Sequence, residues 1–143
     1  MTIIGFNFSK IEAEKKQLIK GKININNNVS IKNVEEKKLS LSNEKQKVLA
    51  FTFEFTAKYD PNVGSISFTG DVLSMDDSKK TKEILDGWKK DKKLPKEVMP
   101  IILNTIMSKC NIQALILSEQ INLPPPIPLP KLAPVEAPAE KKD

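Results

Sequence analysis

Between Lys47 and Tyr59 the side chains alternate in chemistry. Phe51, Phe53, Phe55, Ala57 and Tyr59 fall on one side of an extended chain, and Ala50, Thr52, Glu54, Thr56 and Lys58 on the other. A period of two marks a half-buried β-strand. Asp60-Pro61-Asn62, with Gly64 close behind, is a turn signal. Beyond it Ile66, Phe68, Gly70 and Val72 alternate with Ser65, Ser67, Thr69 and Asp71, so the two runs predict a hairpin.

Weaker versions of the same pattern come earlier. Ile4, Phe6 and Phe8 alternate with Gly5, Asn7 and Ser9. Over Lys22–Ile31 the apolar positions are Ile23, Ile25, Val29 and Ile31, with Asn26, Asn27 and Asn28 between them. Asparagine tolerates left-handed backbone, so that run predicts a bulge or turn. Another alternating stretch reaches Leu39 and Leu41 before the turn-like Ser42-Asn43-Glu44. The expectation is an antiparallel sheet of about four long strands, one face apolar and the other polar.

After Met75 the period changes. Asp76-Asp77-Ser78 suits a helix cap, which is the simplest role for the two adjacent carboxylates. Lys79–Lys93 carries Ile84, Leu85 and Trp88 among seven lysines, an amphipathic helix that Gly87 weakens. Pro95 and Pro100 each suit the first turn of a second helix. Met99, Ile102, Leu103, Ile106, Cys110 and Ala114 recur at spacings of three and four. From Ile112 through Leu115, Ile116 and Leu117 the apolar surface widens nearly all round, so this helix needs cover on more than one side, including a second subunit.

Seven of the ten prolines lie from Pro124 onward. Leu123-Pro124-Pro125-Pro126-Ile127-Pro128-Leu129-Pro130 excludes helix and central strand and predicts stiff polyproline II. Leu123, Ile127, Leu129 and Leu132 recur between the prolines, which suggests a segment docked on the protein surface. The other reading is a ligand for a proline-reading domain. The pattern divides the chain into one α+β domain over residues 1–132, docked segment included, and a disordered tail over residues 133–143.

Composition narrows the chemistry. A chain of 143 residues suits one domain. There is no histidine, and the single cysteine, Cys110, forbids an intrachain disulfide. The commonest general base and transition-metal ligand is therefore missing. No phosphate-binding glycine loop or nucleophile elbow is present. The expectation is no catalytic residue, no metal and no cofactor. No run of apolar residues reaches the roughly 18 needed to span a bilayer, and the N-terminus does not read as a signal peptide, so a cytoplasmic protein without membrane insertion is expected.

The net charge is +5, and all 23 basic residues are lysine. Without arginine's planar fork, base-specific reading is disfavoured, while contact with RNA or a ribosome stays open. Lys79, Lys80, Lys82, Lys89, Lys90, Lys92 and Lys93 form the candidate basic patch; a solvated face is the simpler reading. Phe51, Phe53 and Phe55 read most simply as core, with a groove for apolar client segments as the alternative. Trp88 either packs on its own sheet or is an exposed anchor. Together with Ile127 and Leu129, these residues are the candidates for polypeptide binding.

The order of elements resembles the SecB family of export chaperones, in an archaeal SecB-like form. The residues that carry the resemblance are the Val48–Tyr59 and Ile66–Met75 hairpin, Met99-Pro100-Ile101 opening the helix, and Ile121-Asn122-Leu123-Pro124-Pro125 after it. The last piece is similar to the asparagine-leucine-alanine-proline segment of SecB. The resemblance covers residues 22–130. It implies a homodimer or higher oligomer, a nucleotide-independent holdase that binds unfolded or nascent polypeptides, and a role in protein transport. The family's acidic sheet face meets the translocation motor. This chain is basic, which turns a SecB-like fold toward another partner, such as the ribosome.

Overall fold

The computed structural model of the chain describes residues 1–37 and 46–129, without the side chains of residues 46 and 47. Leu39, Leu41, the Ser42-Asn43-Glu44 turn, Pro130, Leu132 and the tail over 133–143 lie outside the described residues. Four strands, β1 (Thr2–Lys15), β2 (Asn24–Lys37), β3 (Gln46–Asp60) and β4 (Gly64–Asp77), precede α1 (Ser78–Asp91) and α2 (Met99–Gln120). The sheet is antiparallel throughout, in the order β1-β4-β3-β2. The hairpin β3-β4 is therefore central, and β1 and β2 are the edges. Residues 16–23 carry the chain from one edge to the other past the hairpin turn, where the Lys16 amide donates to the Val63 carbonyl at 2.7 Å.

The apolar row of β3 is the floor of the core. Leu49, Phe51, Phe53, Phe55, Ala57 and Tyr59 are buried, facing Ile66, Phe68 and Val72 of β4. Phe6 and Phe8 of β1 extend the aromatic layer: Phe6 stacks on Phe53 at 5.2 Å, and Phe8 meets Phe68 at 5.2 Å. The other face carries polar pairs such as Thr52 donating to Asp71 at 2.8 Å. It turns apolar at one end, where Val48 and Ala50 are buried opposite Met75 and Leu73.

Two details differ from the simple alternation. A bulge between Ile3 and Gly5 shifts the register of β1, so Ile3 packs with Phe6 and Phe8 against the core and Ile4 is exposed. The asparagine run 26–28 makes no turn. It pairs in register with Lys58, Ala57 and Thr56, and the bulge of β2 lies later, between Ile31 and Asn33. Pairing with a long straight β3 overrides the local preference of asparagine.

Both helices lie on the aromatic face. Asp77 caps α1, its carboxylate accepting from the Lys80 amide at 2.8 Å, and Asp76 accepts from the Asp77 amide. Thr81, Ile84 and Trp88 are the buried side of α1. Gly87 does not end the helix. Pro95 forms a turn whose carbonyl accepts from the Val98 and Met99 amides, and α2 begins at Met99 with Pro100 in its first turn. Ile102, Ile106, Cys110, Ala114 and Ser118 repeat every four residues and lie buried against the sheet. Burial pushes the Cys110 thiol up to about 12, which keeps it an unreactive core residue. By length and composition alone α2 is apolar enough to cross a bilayer, a test that the core helix of a soluble protein also passes. The cause is a stretch of scattered apolar residues rather than one unbroken run.

Candidate functional site

At the C-terminal end of α2 the chain reverses. Ser118 and Leu117 accept from the Leu123 and Ile121 amides, and Asn122 takes a left-handed φ of 57°, a conformation asparagine tolerates. The segment that follows lies on the aromatic face, beside edge strand β2. Tyr59 donates its hydroxyl to the Pro124 carbonyl at 2.6 Å. Asn27 donates its side-chain amide to the Pro126 carbonyl at 2.8 Å. Lys15 donates to the Asn122 carbonyl at 3.3 Å. Leu123 and Pro126 are buried, Ile127 is half-buried, and Leu129 is 45% exposed.

Two clefts flank this segment. One of about 690 Å³ is lined by Ile25, Pro125, Pro126, Ile127, Pro128 and Leu129. The other, about 250 Å³, opens between Leu115, Ser118 and Glu119 of α2 and Leu123, Pro125 and Leu129. Both are apolar troughs, a surface suited to extended apolar peptide. Burial pushes the Tyr59 phenol up to about 12, so its hydroxyl stays a donor through the neutral range.

The expected site residues separate into groups. Ile127 and Leu129 line the larger cleft. Phe51, Phe53 and Phe55 have no exposed surface and sit beneath the helices. Trp88 is 6% exposed and packs into its own core, with the Lys92 ammonium 5.5 Å from its ring centre. Sequence reasoning passed over Ile25, Asn27 and Tyr59 as site residues. A signal was present for Asn27: it is the polar residue that interrupts the apolar row of β2 between Ile25 and Val29.

The lysines also divide. Lys80 pairs with Glu97 and Glu83, and the Glu97 contact holds Lys80 above and Glu97 below its ordinary range. Lys92 caps α1 through its amide to the Trp88 carbonyl. Lys79, Lys82, Lys89, Lys90 and Lys93 point to solvent and form no ion pair among the described residues.

A second apolar surface runs along α2, away from the sheet. Ile101, Ile112 and Ile116 lie on that side, with Ile112 60% and Ile116 47% exposed. Thr105 and Ser108 fall on the same helical row. Among the described residues nothing covers it.

This arrangement matches a solved structure, the Mycobacterium tuberculosis SecB-like chaperone in complex with a ChAD peptide from the HigA1 antitoxin. The fold is SecB-like. The superposition has a TM-score of 0.56 at 13% identity, over 92% of this chain and 89% of that one. Neither a protein-family model nor a curated protein matches.

Proposed function

We propose that this chain is a non-enzymatic SecB-family chaperone of the archaeal SecB-like type, a nucleotide-independent cytoplasmic holdase for unfolded or nascent polypeptides. One observation carries the reading: a SecB-like fold with open apolar troughs beside Ile127 and Leu129. Client segments bind there by burial of apolar side chains, each contributing about 1.5–3 kcal/mol. Phe51, Phe53, Phe55 and Trp88 reach a client only when a helix lifts from the sheet. The uncovered row of α2 serves self-association.

The test is dilution of a chemically unfolded client into buffer without nucleotide. The wild-type chain suppresses light scattering at near-stoichiometric ratios, and Ile25→Asp, which charges the wall of the larger cleft, reduces suppression several-fold. A wild-type chain that leaves aggregation unchanged refutes the reading.

The exposed lysines of α1 and of the residue after its C-cap favour a second reading, a ribosome- or RNA-associated factor. Their helical spacing places Lys79, Lys82, Lys89 and Lys90 on one solvent face of α1, with Lys93 exposed just past its end, where they match a phosphate backbone. Changing Lys79, Lys82, Lys89 and Lys93 to glutamate abolishes ribosome co-sedimentation and leaves client suppression nearly intact. If co-sedimentation survives, the lysines are a solvated face.

A further inference from the structure

We infer that the floor beneath Leu123–Leu129 is a main-chain-reading site for extended, proline-containing apolar peptide, occupied in this chain by its own segment as a displaceable ligand. The inference rests on the polypeptide-binding reading and deepens it, naming the site and its resident competitor.

A proline has a carbonyl but no amide hydrogen. Pro124, Pro125 and Pro126 therefore present acceptors alone, and a surface that holds them must supply the donors. This floor supplies two, the Tyr59 hydroxyl at 2.6 Å from the Pro124 carbonyl and the Asn27 amide at 2.8 Å from that of Pro126. The two carbonyls are two residues apart, roughly 6 Å along polyproline II. Tyr59 ends the aromatic row of β3, and Asn27 interrupts the aliphatic row of β2. Neither polar atom serves the packing of the sheet. Each serves the main chain of whatever lies above.

The side chains of the segment are held far less completely. Leu123 and Pro126 are its only buried members among the described residues. The 690 Å³ and 250 Å³ clefts open on its two sides. A segment belonging to the core would close such gaps, because protein interiors pack to crystal density. A prolyl backbone is ordered in advance, so it docks and leaves at small entropic cost. Specific main-chain contacts, loose side-chain packing and low ordering cost together describe a ligand that another peptide of the same chemistry displaces.

The experiment is a titration of a fluorescein-labelled peptide of residues 122–129 into the full chain. A full-length variant carries Pro124→Gly, Pro126→Gly and Pro128→Gly, which keeps the floor and raises the cost of docking in cis. Apparent affinity is the intrinsic affinity reduced by the fraction of sites that stand open. The glycine variant therefore binds the labelled peptide about 10-fold more tightly than wild type. Adding Tyr59→Phe and Asn27→Ala to that variant removes the gain. Equal affinities in wild type and glycine variant, or a gain that survives the loss of both donors, overturn the proposal. If circular dichroism finds the triple variant unfolded, Pro126→Gly alone carries the test, with a gain of about threefold expected and none overturning it. Client aggregation is followed in parallel. No suppression alongside the expected peptide affinities defeats the chaperone reading and upholds this site. Suppression alongside unchanged peptide affinities does the reverse.

Discussion

Gly70→Ala leaves a chain that unfolds far more easily than wild type, by about 3 kcal/mol or more. Gly70 sits in β4, between Phe53 of β3 and Phe8 of β1. A β-carbon there would lie 2.2 Å from the Asn7 carbonyl oxygen and 2.9 Å from the Phe53 ring. The first contact is with backbone, just before the bulge of β1 between Phe8 and Lys10, so no side-chain rotation relieves it. The second is with a ring already stacked on Phe6 at 5.2 Å. Either β1 moves off the sheet or the aromatic layer breaks. A small domain has only about 5–15 kcal/mol of stability in all, so the loss is a large fraction of it. Urea unfolding followed by circular dichroism reads the change. Gly87→Ala is the control of opposite sign. Its β-carbon meets only the Lys93 carbonyl oxygen, at 3.5 Å, and alanine in mid-helix gains about 0.5–1 kcal/mol. A Gly70→Ala midpoint close to wild type would show that β1 yields freely at the bulge.

The second large effect concerns assembly. Ile112→Glu with Ile116→Glu converts the proposed oligomer to the 16.0 kDa monomer. Both side chains point away from the sheet, so the substitutions spare the core. In a two-fold interface each charge occurs twice and faces its own kind across or near the axis. Four buried isoleucines are lost and four unpaired carboxylates appear, each costly to desolvate. Light scattering at micromolar concentration separates the states, and unchanged circular dichroism shows that the fold survives. A wild-type chain that already runs as a monomer under those conditions removes the oligomer from the proposal, and the apolar row of α2 then requires another partner.

The two periodicities were legible along the chain because each depends on neighbours a few residues apart. The Phe51, Phe53 and Phe55 row, the break at Asp60-Pro61-Asn62, the cap at Asp77 and the row from Ile102 to Ala114 all express local geometry. They place the elements and name most of the core. Strand order does not follow from them, because β1 pairs with β4 through contacts between residues some sixty positions apart, such as Phe8 and Gly70. The bulge that sets Ile3 rather than Ile4 against Phe6, and the pairing with β3 that keeps 26–28 extended, answer to the strands alongside and not to their own residues. The same limit hid the proline floor. Asn27 stands out of its apolar row in the sequence, but its partner, the carbonyl of Pro126, lies 99 residues away. A polar residue that interrupts an apolar row marks a position in the sequence, and folding alone supplies its partner.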